Sequence, residues 1–167
     1  RDVTTGPFDL ALIKTKDRIY SPRAEVATVD FRLKSTKGER SGFLIGFGPS
    51  ASEPSERLRY MSALHTRMSL CVNHTNAKYF QCARSGRSSG LGGPCIGDSG
   101  GPLAEGSVHN PKKHRVLGVL SYTFIDSSAT RGSCSNSLSG YSRLSQPAHK
   151  KFLLKAMKQL GGWFKLA

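Results

Sequence analysis

The 167-residue chain lacks several things that would direct its reading elsewhere. No apolar run approaches the roughly 20 residues that a membrane-spanning helix needs. These 167 residues show no leader-like segment, no Met at position 1, no internal repeat and no low-complexity tract. The chain opens on Arg1 in polar sequence, so a missing upstream segment is expected. No Cys-x-x-Cys pair occurs among the four cysteines, Cys71, Cys82, Cys95 and Cys134. An even cysteine count without that spacing argues for disulfides over zinc, and disulfides imply an oxidising, secreted or periplasmic setting. Asn73-His74-Thr75 has the form of a glycosylation acceptor, which suits the same compartment. Acids are scarce too: 11 Asp and Glu stand against 25 Lys and Arg, a net charge of +14. That excess predicts attraction to polyanions. No clustered recognition motif accompanies it, so its first reading is a soluble basic protein. The hydrophobic share of 37% is enough for one domain with a core, and excludes a disordered composition.

What the chain does have is strand pattern. Between Glu25 and Leu33, Ala27, Val29, Phe31 and Leu33 alternate with Thr28, Asp30 and Arg32, the period of a half-buried strand. Phe8 to Ile13 and Val116 to Tyr122 are short apolar runs that read as buried strands. Gly42 to Gly48 is an apolar strand with glycines at its ends and middle, as bends at a barrel rim require. Short strands punctuated by Gly, Ser, Pro and Asn predict an all-β barrel or sandwich.

One helix is expected, at the end of the chain. Ser145 can cap it, Pro147 suits its first turn, and Gly161-Gly162 ends it. Leu153, Ala156, Met157 and Leu160 share an apolar face, while Lys150, Lys151, Lys155 and Lys158 line the other side. That is the pattern of a docking helix with a solvated basic face; the functional alternative is a strip that binds a polyanion. The polar stretch Ser35 to Arg40 marks a boundary, dividing 1–37 from 38–167.

The most informative stretch is Cys95-Ile96-Gly97-Asp98-Ser99-Gly100-Gly101-Pro102-Leu103. A serine between glycines sits on a tight turn that another backbone can approach. Successive N–H groups on such a turn can converge into an anion hole, which a nucleophilic serine needs for its tetrahedral intermediate. Asp98 beside it is costly to bury without a partner. A lone Gly-x-Ser-x-Gly reads more readily as a Gly-rich β-turn; Gly-Asp-Ser-Gly-Gly-Pro is far more specific.

Gly97 to Pro102 resembles the active-serine motif of the chymotrypsin-like, or trypsin-fold, serine proteases. The resemblance implies that Ser99 is the nucleophile, that the N–H groups of Gly97 and Ser99 form the oxyanion hole, and that Asp98 receives a newly freed N-terminus on activation. Other stretches resemble the family in its order. Phe8-Asp9-Leu10-Ala11-Leu12-Ile13 resembles the segment of the orienting aspartate, here Asp9. Gly46-Phe47-Gly48 resembles the Gly-Trp-Gly early in the second barrel, with Phe for Trp. Leu120-Ser121-Tyr122 resembles the strand that pairs with substrate, with Ser121 supporting the aspartate. Gly140-Tyr141-Ser142-Arg143-Leu144 resembles the strand before the final helix. The family pattern pairs Cys71 with Cys82 and Cys95 with Cys134. The fold implied is a double β-barrel, with the first barrel partial, the second complete, and a C-terminal helix.

By the same resemblance Gly93, six residues before the serine, lies at the base of the specificity pocket, with Ile96, Ser121 and Tyr122 along the substrate path. Gly93 offers no charge to a buried Arg or Lys. Thr123 aligns with a wall position and Ser139 with a deeper one, and side chains there narrow the pocket. A small to medium apolar residue before the cut is therefore expected. No cofactor or metal is implied.

The family's catalytic histidine precedes the aspartate, and no histidine precedes Asp9. His65, His74, His109, His114 and His149 read as surface or loop residues. Without a general base a serine hydroxyl is a weak nucleophile. The isolated chain is thus expected to be inactive, with the histidine on a missing segment. The other function class is a non-catalytic homologue that binds through its basic surface.

Overall fold

Six strands close into one antiparallel ring because each carries inward side chains that fill the same lumen. A computed structural model describes residues 8–17, 19, 21–22, 26–32, 40–48, 57–66, 77–85, 93–107, 110–124, 138–162 and 165–166. The strands are β1 (Thr28–Val29), β2 (Arg40–Gly46), β3 (Arg59–Thr66), β4 (Phe80–Ser85), β5 (Pro102–Ser107), β6 (Asn110–Phe124), β7 (Leu138–Arg143) and β8 (Lys165–Leu166). A 3-10 turn, Ala77–Tyr79, precedes β4, and helix α1 runs over Pro147–Leu160. The order β5-β2-β3-β4-β7-β6 returns on itself through β5–β6 pairing, which closes the barrel. Short β1 adds to β6 in parallel, and β8 to β1.

Each barrel strand gives one residue to the central cluster: Leu44, Ala63, Ala83, Leu103, Leu120 and Tyr141. Two alanines make room for the Tyr141 ring, the small-with-large mixing a narrow barrel requires. Burying a side chain such as Leu103 contributes about 1.5–3 kcal/mol. A second cluster, Phe31, Leu144 and Leu153 with Leu10, Val29, Val116 and Val119 around it, docks α1 and the 8–10 segment on the outside of the barrel.

Helix α1 follows the expected span, with one change of cap. Gln146 is the N-cap and accepts the Ala148 N–H; Ser145 accepts from Arg143 Nε instead. Gly161 closes the helix in a left-handed conformation (φ 66°), and the Gly162 N–H reaches the Met157 carbonyl.

Three expectations need correction. Phe8 to Ile13 forms no strand: the segment crosses the outside of the barrel, Phe8 and Ile13 are exposed, and Leu10 enters the second cluster. The alternating run around Val29 shortens to the two residues of β1, and Asp30 is buried rather than solvated. Arg115 explains that burial, bridging Asp30 at 3.3 Å and Glu105 at 2.8 Å. His65 and His149 are fully buried, not surface residues. His65 faces Glu105 inside the barrel, over Gly42, where a Cβ would overlap its ring. His149 Nδ1–H donates to the Arg143 carbonyl, and its ring packs between Phe8 and Tyr79.

Tyr122 gives the fold an alkaline limit. Burial pushes its phenol up from 10.0 to about 12, so the fold favours the neutral form. In the unfolded chain the phenol ionises near 10. Stability from this residue is therefore complete below pH 10 and lost as pH rises toward 12. Urea midpoints measured across that window should fall, and Tyr122 phenolate absorbance should emerge only at its upper end. Ionisation of Tyr122 near 10 in the folded protein would contradict this.

Candidate active site

The approach to β5 folds as two successive tight turns. Asp98 N–H donates to the Cys95 carbonyl at 3.0 Å, and Gly101 N–H to the Asp98 carbonyl at 2.9 Å. Gly97 (φ 98°) and Gly100 (φ 83°) take the left-handed conformations these turns need. The second turn then hooks onto β6: Gly100 N–H donates to the Leu120 carbonyl, and Leu120 N–H to the Gly101 carbonyl. Ser99 is left exposed at the crest. Along this stretch the N–H groups of Asp98, Gly100 and Gly101 are bonded, while those of Gly97 and Ser99 have no hydrogen-bond partner among the described residues.

Asp98 turns inward beneath the crest. Its Oδ1 accepts the Gly48 N–H at 2.6 Å and its Oδ2 the Cys95 N–H at 2.9 Å. Gly46 and Gly48, flanking the end of β2, leave the space: a Cβ on either would overlap the carboxylate. Among the described residues no cation pairs with Asp98.

Asp9 is held at the β6 residue that follows Leu120. Ser121 Oγ–H donates to Asp9 Oδ2 at 2.6 Å, and Ser142 Oγ–H to the Asp9 carbonyl at 2.9 Å. The β6–β7 register slips between Leu120 and Tyr122, so Ser121 lies in a bulge without a β7 partner. Such a bulge turns a side chain out of its expected direction. Phe8 against Tyr79 and His149 holds the adjoining backbone. Two consecutive β6 residues thus secure both sides, Leu120 the serine turn and Ser121 the aspartate.

Beyond the bulge, Tyr122 pairs with Gly140 and Thr123 with Ser139. The Tyr122 ring covers Gly140 and meets Phe80 edge-on at 5.1 Å. Ser139 is fully buried and Gly93 half-buried, whereas Ile96 is 81% exposed. Cys82 is buried on β4, Cys95 opens the serine turn, and neither is a free thiol. Cys71, Cys134, His74, His109 and Asn73 lie outside the described residues. Among the described residues no histidine hydrogen-bonds Asp9 or Ser99, and no group of residues is arranged to hold a metal ion.

Sequence reasoning missed Ser142 and the role of Gly48. Ser142 carried a faint signal, a hydroxyl between Tyr141 and Arg143 in the segment before the helix; Gly48 carried one only as half of a Gly-x-Gly.

A closed antiparallel barrel, a terminal helix and a glycine-bounded Asp-Ser turn held against a strand that also holds a carboxylate define a trypsin-like serine protease architecture. Residues 2–143 match the Trypsin family, and the chain belongs to it. Its fold is the chymotrypsin-like one, with the second barrel closed and the first represented in part. No curated protein matches the chain. No helix among the described residues is long and apolar enough to cross a membrane.

Proposed function

We propose that this chain is the nucleophile-bearing part of a secreted serine endopeptidase. Residues 1–37 belong to the first barrel and 38–167 form the second barrel with its helix. Ser99 attacks the peptide carbonyl, and the acyl-enzyme that results is hydrolysed by water. The N–H groups of Gly97 and Ser99 receive the oxyanion; that these two stay unbonded while their neighbours are taken supports the assignment. Asp9 orients a histidine carried on a segment outside these 167 residues, and the 167 residues alone do not hydrolyse peptides. Asp98 is the acceptor of the activating N-terminus. The bridges Cys71–Cys82 and Cys95–Cys134 brace the barrel and the pocket wall. The observation that carries this reading is the double attachment at Leu120 and Ser121.

Gly93 at the pocket base, with Thr123 and Ser139 paired on its wall, favours a small to medium apolar residue before the cut. The full natural protein, given peptides differing only at that residue, should cleave after Ala, Val or Leu faster than after Arg. Preference for Arg would overturn the pocket reading. A second reading, a non-catalytic homologue that binds through a basic surface, draws on the acid-free helix α1. Covalent labelling of Ser99 by a fluorophosphonate in the full protein separates the two: labelling supports the protease, and its failure the binding protein.

A further inference from the structure

Helix α1 carries a charge pattern that its own stability does not explain. Its 14 residues include four lysines and no acid. At about 100° per residue, Lys151, Lys155 and Lys158 fall within about 60° of arc and span about 10 Å along the axis. All three are exposed, opposite the face that buries His149 and Leu153. None of them makes an ion pair among the described residues. Lys150 is differently engaged, with its ammonium over the Phe31 ring at 5.8 Å.

Lys158 suits the negative end of the helix. The others do not help it. The first turn holds no acid and is followed directly by two lysines, the reverse of the bias that favours a helix N-terminus. Lys151 and Lys155 are four apart, a like-charge spacing that destabilises a helix. A local rule broken without compensation inside the fold points to function.

We propose that the Lys151–Lys155–Lys158 stripe is a docking surface for a linear sulfated polysaccharide of the heparin type. The stripe offers compact ammonium charges in a row, suited to repeated point contacts along an anionic polymer. Phe152, the exposed aromatic of α1, projects off the stripe, so no ring stands among the lysines for a base to stack on. Charge complementarity to a regularly sulfated chain is what this surface supplies, and a net charge of +14 draws the polymer in. The stripe shares no residue with the Ser99 turn.

The test compares two variants of the full chain that each lose two charges: Lys151→Gln/Lys155→Gln, and Lys14→Gln/Lys16→Gln in the exposed early segment. Binding to heparin, to desulfated heparin and to a DNA oligonucleotide is titrated against salt. The stripe variant should lose about tenfold in heparin affinity near physiological salt, and its log affinity–log salt slope should shrink by roughly two. The control pair should change less than about twofold, and desulfated heparin should bind neither protein measurably. Thermal midpoints of the stripe variant should match or exceed the parent's, so lost binding does not mean lost fold. Equal losses in both variants, retention of desulfated heparin, or tighter binding of DNA than of heparin would each overturn the proposal. None of these readouts needs hydrolysis, so failure of the protease reading leaves the result intact.

Discussion

Gly48→Ala is expected to expel the Asp98 carboxylate from beneath the serine turn. The added methyl would overlap the carboxylate while the Gly48 N–H remains fixed at the end of β2. Asp98 would then give up two short, charge-assisted hydrogen bonds, to Gly48 and to Cys95. Hydrogen bonds to charged groups each contribute about 1.5–3 kcal/mol, and a half-buried carboxylate stripped of them adds its desolvation cost. A loss of about 3 kcal/mol follows, which for a chain of this size lowers the thermal midpoint by roughly 10 °C. Phe47→Ala is the companion measurement. Phe47 is 57% exposed between the two glycines, so its truncation should shift the midpoint little. Equal shifts in the two variants would mean that the cradle contributes nothing beyond loop packing.

The larger effect concerns chemistry in a full protein that carries the histidine, as the proposed protease reading requires. Ser99→Ala is expected to lower kcat by about 10⁶-fold, the scale of nucleophile loss in serine proteases. Asp9→Asn should cost about 10⁴-fold, because an amide holds the histidine in the wrong tautomer. Ser121 tests the path between them: Ser121→Ala removes the hydroxyl that fixes Asp9 Oδ2, and should cost far less than Asp9→Asn while leaving KM almost unchanged. The decisive feature is non-additivity. Residues that act as one unit lose their effect once the nucleophile is gone, so Ser99→Ala/Asp9→Asn should be no slower than Ser99→Ala. Stopped-assay rates on one peptide substrate decide it. If Ser99→Ala kept more than about a tenth of the parent rate, Ser99 would not be the nucleophile.

The serine turn was legible because its geometry is local: glycines at fixed offsets around one serine leave few conformations open. The terminal helix was legible for the same reason, since its apolar spacing and closing Gly161 lie within 15 residues. What escaped was non-local. The burial of Asp30 depends on Arg115, 85 residues away. His65 is buried because Gly42, on a neighbouring strand, leaves its ring space. The apolar run at Phe8 imitates a strand, yet it pairs with no strand and is pinned by serine hydroxyls from β6 and β7. The bulge that aims Ser121 leaves no trace in residue type; it exists only in the register between two strands.

The ring's seam has a consequence in time. Strand β5 joins β6 as a near neighbour in the chain, but meets β2 across some 60 intervening residues. The Gly48–Asp98 bond crosses that same late junction. Distant pairings form slowly, because loop closure must precede any reward from contact. Until β2 and β5 meet, Asp98 keeps its Cys95 contact but lacks the Gly48 half of its cradle. The full support beneath Ser99 is therefore a property of the closed barrel and arrives only when the ring is complete.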